Sequence, residues 1–349
     1  MAVQTSKATI PAIMTPAEIR ERVARLPRIP FAFVPTPLEA CPRLTAALGG
    51  PRILIKRDDL TGFAFGGNKV RALEFRMADV QARGCDAFVL VNIGQSNHAR
   101  LHSAACVRLG LHMTIVKPSP ADEEVTGNLL LDRILGVDIV EAHGRDPEAV
   151  LDETLARLRA EGYRPYASTR EPFSSIAGTV AYVEASIELL EQLRAAGIGP
   201  EDKVHLFLVG GTSSAGLALG GKLLGAGWRV HAVSVGGNAD AVTRMQLDRA
   251  SRTAELLDLP VGLEPSDFDV HDQYVGERYG ATPPTTLAAI KLAARTDAIF
   301  MDPVYTGKAF SGLVGEVQAG KVGAGEVAVF VHTGGLPIIF AYHEVLKNL

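Results

Sequence analysis

Residues 205–216 read HLFLVGGTSSAG: an apolar run closing at Val209, two glycines, three hydroxyl residues, then the small residues that lead into LALGGKLL. A short continuous apolar run suits a buried parallel strand covered on both faces. The glycines let the chain turn tightly, and hydroxyls beside free backbone N–H groups at a helix start make a cradle for an anion. Working outward, the same strand–turn–helix grammar recurs. Arg52–Lys56 (RILIK), Ala87–Val91 (AFVLV), Met113–Lys117 (MTIVK), Val230–Val235 (VHAVSV) and Glu326–His332 (EVAVFVH) read as strands. Lys69–Arg83, Asn97–Leu109, Glu148–Glu161, Ile176–Ala196, Ala215–Leu224 and Thr285–Arg295 have helical composition and spacing. This alternation predicts an α/β protein built on mostly parallel sheets.

The remaining sequence narrows the class. At 349 residues the chain is long enough for two domains or one large one. It is 47% hydrophobic and 21% charged, which supports a substantial core and excludes disorder. A net charge of −4 without a Lys/Arg block argues against nucleic-acid and anionic-membrane binding. Cys41, Cys85 and Cys106 are scattered and form no CxxC, so they fit a reducing compartment and neither a disulfide scaffold nor a thiolate metal site. The N-terminal MAVQTSKATIPAIM is a poor signal peptide, and no stretch approaches the length of a membrane helix. A cytoplasmic protein is expected. Residues 1–30 read as an arm with one short amphipathic helix, and Ser168–Ser175 (STREPFSS) as a candidate domain crossing.

Chemistry concentrates at strand ends. Phe65-Gly66-Gly67-Asn68-Lys69 follows RILIK and the acidic pair Asp58-Asp59. A lysine at a helix start feels the positive end of the helix dipole, and partial burial acts in the same direction, so a neutral, nucleophilic amine results. GGNK alone equally describes a solvated lysine in a glycine-rich turn. Val209-Gly210-Gly211-Thr212-Ser213 reads as an anion cradle, or equally as a Gly/Ser strand–helix turn without a ligand; Leu217 after Gly216 excludes a Walker A loop, and Ser213 breaks the dinucleotide fingerprint. Gln95-Ser96-Asn97-His98 places Ser96 and Asn97 where helix amides hold a carboxylate, or where either simply caps the helix. His98 in place of a glycine makes a nucleophile elbow a weak reading. His98, His102 and Cys106 share a helix face without a supporting carboxylate, so no metal site is expected. Tyr279-Gly280, Asp302-Pro303-Val304-Tyr305-Thr306-Gly307-Lys308 and His332-Thr333-Gly334-Gly335 complete the set, at the chain ends where open α/β sheets place active sites.

Together with Thr36-Pro37-Leu38-Glu39, Ile55-Lys56-Arg57-Asp58-Asp59, and Asn128 with Leu131-Asp132, these segments occur in an order that resembles the pyridoxal-phosphate enzymes of the tryptophan-synthase-β type. Within them the chain is most similar to the branch of 1-aminocyclopropane-1-carboxylate deaminase, D-cysteine desulfhydrase and L-cysteate sulfo-lyase, over roughly residues 30–345. The resemblance implies a two-domain α/β fold of open twisted sheets, with residues 1–71 and 179–349 forming a large cofactor domain and 72–178 a smaller inserted one. It implies a homodimer, pyridoxal 5'-phosphate as cofactor, and a small amino acid as substrate.

It also implies roles: Lys69 as the lysine that carries the cofactor and shuttles the substrate α-proton, and Ser96, Tyr279 and Tyr305 as its catalytic companions. Asn97, Val209 to Ser213 and Thr306 would hold the cofactor; Ser96, Asn97, His98, Thr333 and Gly334 the substrate. Four departures stand out: Ala72 where the branch has a second lysine that helps hold phosphate, a hydroxyl-rich phosphate loop, Leu101-His102 where Gln-Thr is common, and STREPFSS without its glycine pair. Thr306 and Thr333 stand where the deaminases carry Glu and Leu, which favours the desulfhydrase and sulfo-lyase side. A carboxylate would hold the pyridine nitrogen protonated and strengthen the electron sink. A hydroxyl suffices when a good β-leaving group departs. The implied reaction is α,β-elimination with deamination, with D-cysteine first and cysteate or the cyclopropane amino acid as alternatives. A cofactor-binding protein without turnover is disfavoured by the intact Lys69, Ser96, Tyr279 and Tyr305 set.

Overall fold

The computed structural model describes residues 12–118 and 123–349; most of the N-terminal segment read above for a leader lies outside them. Among the described residues, ten strands and thirteen α-helices follow one another in chain order. The strands are β1 (Leu38–Ala40), β2 (Arg52–Lys56), β3 (Ala87–Val91), β4 (His112–Lys117), β5 (Asp138–Glu141), β6 (Pro165–Ala167), β7 (Val204–Val209), β8 (Arg229–Val233), β9 (Phe268–His271) and β10 (Val327–Val331). The helices are α1 (Pro16–Ala24), α2 (Pro42–Leu48), α3 (Lys69–Ala82), α4 (Asn97–Leu109), α5 (Gly127–Ile134), α6 (Pro147–Ala160), α7 (Pro172–Ala195), α8 (Thr212–Leu224), α9 (Ala239–Leu256), α10 (Pro284–Asp297), α11 (Thr306–Gln318), α12 (Leu336–Ala341) and α13 (His343–Leu346).

Two sheets result. The larger has the order β1-β2-β10-β7-β8-β9 and the smaller β5-β4-β3-β6. Every pairing is parallel except β1 with β2, where Leu38 faces Lys56. Alternation along the strands divides the core, since successive side chains point to opposite faces. Ile53, Ile55, Phe207, Ala328 and Phe330 pack against α2, α10 and α11. Leu54, Leu206, Leu208, Val327 and Val329 face α7 and α8. In the smaller sheet Phe88, Leu90, Met113 and Ile115 meet α3 and α4, while Val89, Val116 and Ala167 meet α6.

Four strands had no counterpart in the sequence reading: β1, β5, β6 and β9. They are the two outer strands of each sheet. An outer strand is covered less completely and carries charges and proline, as in DIVE, PYA and FDVH, so it lacks the apolar run that marks a central one. Two long helices were also missed. The buried face of α9 is Val242, Gln246, Ala250, Thr253 and Ala254, mostly small or polar, and α11 opens in a segment whose Gly-rich DPVYTGK reads as loop. Within the STREPFSS stretch α7 begins at Pro172 and takes in Phe173, Ser174 and Ser175, because proline is tolerated in the first helical turn.

Because the strands run parallel, their carboxyl ends gather on one side. The glycine-rich turns after β7 and β10 open from that edge of the larger sheet, and Asn92 and Ser168 follow β3 and β6 at the same edge of the smaller one.

Candidate active site

A buried charge network holds the lysine-bearing helix from behind. Asp58, 1% exposed, accepts from Thr36 Oγ1 (2.6 Å), Arg71 Nη2 (2.9 Å), Arg71 Nε (3.1 Å) and the Tyr182 hydroxyl. Arg71 also donates to both Glu188 oxygens, at 3.0 and 2.9 Å. Lys56 Nζ donates to the Thr36 carbonyl (2.6 Å), to Gln192 (2.7 Å) and to Glu188. The Thr36 and Lys56-Arg57-Asp58 motifs therefore tie β2, α3 and α7 together. Satisfied on every side, such a network rigidifies what it holds.

In front of it, the turn before Lys69 meets the turn after β10 backbone to backbone. Gly66 has φ +64°, and a Cβ there would stand 2.1 Å from the Asp59 carbonyl oxygen. Gly334 has φ +100°, and its Cβ would stand 2.8 Å from Gly67 Cα. Only glycine allows this approach. Asn68 N–H donates to the Thr333 carbonyl (3.1 Å), and Asn68 Nδ2 to Ser213 Oγ (2.8 Å). His332 stiffens the second turn: its Nδ1 accepts from Gly334 N–H (3.2 Å) while Nε2–H donates to the Phe300 carbonyl (2.8 Å).

The turns border a cavity of about 460 Å³. Its wall takes Val91 and Asn92 from the end of β3, Ser168 and Thr169 from β6, Val209 to Ser213 from β7 and the start of α8, and Thr333 and Gly334 from β10. Lys69, Asn97, His98 and Tyr305 also line it. Burial pushes the Lys69 amine down to about 8, assisted by the Arg76 and Arg100 cations and opposed by Asp302. Its Nζ lies 6.0 Å from the centre of the Tyr305 ring. Asn97, in the cavity wall, accepts at Oδ1 from Asn128 Nδ2 (2.9 Å). Burial drives the His98 imidazole well below its usual range, so it is neutral.

Several anticipated residues stand elsewhere. Ser96 is 3% exposed, outside the cavity wall, and its hydroxyl caps α4 by accepting from Ala99 N–H (3.1 Å). Tyr279 is also outside the wall; it shares a short hydrogen bond with the Tyr305 hydroxyl. Thr306 departs most from its expected role as a donor to the cofactor ring. Its hydroxyl donates to Asp302 Oδ2 (2.7 Å) and accepts from Asp302 N–H (2.9 Å). Asp302 in turn accepts from the N–H groups of Val304 (2.9 Å), Tyr305 (2.7 Å) and Thr306 (3.1 Å). This pair folds the turn that presents Tyr305, so the Thr306 hydroxyl proton is already committed.

Two cavity cations escaped sequence reasoning, Arg76 and Arg249. Arg76 was detectable in principle, since Lys69, Ala72 and Arg76 recur at helical spacing on one face. Arg249, on the overlooked α9, carried no local signal. His102 accepts from Arg76 Nη1 at Nε2 (2.8 Å) and donates from Nδ1 to the His98 carbonyl (2.7 Å). A row of histidines was also missed, none of them lining the cavity: His205 Nδ1 and His231 Nε2 are 2.9 Å apart, and His231 Nδ1 and His271 Nε2 3.0 Å. Among the described residues, His231, His271 and Glu316 have the spacing of a metal-ligand group.

A desolvated lysine and an anion cradle in one cavity, at the carboxyl ends of the parallel strands of two sheets, define an enzyme that holds a phosphorylated carbonyl cofactor. The chain belongs to the pyridoxal-phosphate dependent enzyme family, whose profile matches residues 29–334. It is 35% identical over 331 residues to a candidate 1-aminocyclopropane-1-carboxylate deaminase of Pyrococcus abyssi, covering 94% of this chain and 97% of that one. It is equally 35% identical, over 333 residues, to the D-cysteine desulfhydrase of Yersinia pestis, covering 93% and 98%. A crystal structure of an ACC deaminase homologue superposes with a TM-score of 0.83 at 31% identity, covering 96% of this chain and 99% of that one. The cofactor is pyridoxal 5'-phosphate, and the site fits it. The amine at about 8 suits covalent attachment, and the cradle at Gly210 to Ser213 suits the phosphate.

Proposed function

We propose that this enzyme removes the α-proton and the β-substituent of a small β-substituted amino acid and releases a 2-oxo acid and ammonia, with D-cysteine as the first candidate substrate. The observation that carries this reading is the cavity wall, which among the described residues contains no carboxylate. Asp302, the acidic group that acts electrostatically on Lys69, spends both oxygens on its own turn. When bound, the cofactor supplies an electron sink for negative charge at the substrate α-carbon. Without a carboxylate to hold the pyridine nitrogen protonated, that sink suits expulsion of a good leaving group better than opening of an unactivated cyclopropane.

The chain's own groups divide the remaining work. The α4 N-terminus at Asn97 and His98 receives the substrate carboxylate, and Asn97 would help hold the cofactor ring. Lys69 Nζ takes the α-proton. Tyr305, hydrogen-bonded to Tyr279, stands beside Lys69 and protonates the departing sulfur. Water then hydrolyses the released enamine, so that D-cysteine and water give pyruvate, ammonia and hydrogen sulfide. The reading also places the enzyme in the cytoplasm as a homodimer. It takes residues 72–178, which include all four strands of the smaller sheet, as a unit inserted between 1–71 and 179–349, with α3 and α7 crossing the two boundaries.

A panel of D- and L-cysteine, cysteate, serine, β-chloroalanine and 1-aminocyclopropane-1-carboxylate, assayed for 2-oxo acid and ammonia, tests it. Sulfide and pyruvate from D-cysteine with little 2-oxobutyrate from the cyclopropane is the expected outcome. Efficient turnover of the cyclopropane would overturn it.

A further inference from the structure

The cavity carries more positive charge than the lysine chemistry requires. Lys69, Arg76 and Arg249 all line it, with no carboxylate among the described lining residues. Arg249 has no hydrogen-bond or ion-pair partner among the described residues, although its guanidinium stands against the first turn of α8, with Nη1 4.0 Å from where a Gly211 Cβ would lie. Arg76 is 5% exposed, and its Nη groups are engaged by His102 and by the Ser174 carbonyl, yet its Nε is buried without a partner. Burial lowers Arg76 to about 10, and Arg249 adds to the effect across the cavity. Burial lowers Arg249 as well. Uncompensated cations converging on backbone N–H groups are a favourable setting only for a highly charged anion.

We propose that Arg249, supported by Arg76, anchors the cofactor's phosphate against the α8 N-terminus, so that this chain holds the phosphate from α9 across the cavity. Ala72 lines the same cavity on the face of α3 shared by Lys69 and Arg76. That position offers room for a replacement cation. The proposal concerns cofactor retention alone; it rests on the family's cofactor, and failure of the elimination chemistry would leave it standing.

The test measures equilibrium release of pyridoxal phosphate from the holoenzyme, and of pyridoxal from protein reloaded with it, by the absorbance of the bound chromophore. Arg249→Gln should weaken pyridoxal phosphate by about tenfold to a hundredfold, the range of one charge-assisted hydrogen bond, and pyridoxal by less than twofold. Adding Ala72→Lys to Arg249→Gln should restore most of the loss. Ala72→Lys alone should tighten phosphate binding by no more than about twofold, because an anchor is already present. Equal weakening of both ligands by Arg249→Gln would mean a merely structural role and overturn the proposal. So would unchanged phosphate affinity in that variant. Tenfold tightening by Ala72→Lys alone would also refute it, and this arm holds even if Arg249→Gln fails to fold.

Discussion

The depressed Lys69 amine makes a prediction that can be followed without turnover. An ordinary lysine titrates near 10.5, and burial together with Arg76 and Arg100 brings Lys69 to about 8. At pH 7 about one Lys69 amine in ten is then neutral, against roughly one in three thousand for an ordinary lysine, a ratio of about 300. A small neutral aldehyde with a mild hydride donor, applied to cofactor-stripped protein, labels only neutral amines. Labelling of the Lys69 peptide, read by mass spectrometry against a free lysine peptide in the same tube, should rise as pH passes through about 8 and then level off. The reference should still be rising. Arg100→Gln should shift the Lys69 inflection upward, because a neighbouring cation that disfavours the ammonium form is gone. Arg100 donates to the Gly66 carbonyl (3.0 Å) in the turn before Lys69, so the variant needs a check that the fold is kept. A Lys69 profile inflecting above 10, parallel to the reference, would refute the account of how this cavity prepares its nucleophile.

Three further outcomes are expected. Gly334→Ala should lower stability by about 1–3 kcal/mol and loosen cofactor retention, since its Cβ meets the Gly67 backbone 2.8 Å away; wild-type values for both in urea unfolding and dialysis would contradict the backbone contact. Asp58→Ala should cost about 3–5 kcal/mol by leaving Arg71 partly unpaired in the interior, and a urea midpoint close to wild type would show that Glu188 alone suffices. Burial holds His231 down at about 3, against 6.5 when exposed. The unfolded chain therefore takes up a proton below about 6.5 that the folded one refuses, so stability should fall as pH drops from there towards 3. His231→Gln should flatten that slope between pH 6.5 and 5; an unchanged slope would assign the effect to other groups.

The central strands, the helices bearing Lys69 and Asn97, and the glycine-rich turns were legible in the sequence because each is a local pattern. A doubly covered strand must be apolar throughout, and a tight turn must supply glycine. The ordered motifs likewise identified the family and its cofactor. Local pattern did not distinguish what a motif residue touches. Thr306 and Ser96 sit within segments read as active-site motifs, yet one hydroxyl is spent on Asp302 and the other caps a helix. Asp58 and Lys56 proved to be scaffolding behind α3. The outer strands were invisible because burial on one side imposes no continuous apolar run. Arg249 was invisible because its meaning comes wholly from position: a charged residue on a polar-looking helix has no significance until α9 is packed across from Gly211. Chain order determined the cofactor; which cations line the cavity was decided only when elements distant in sequence met around it.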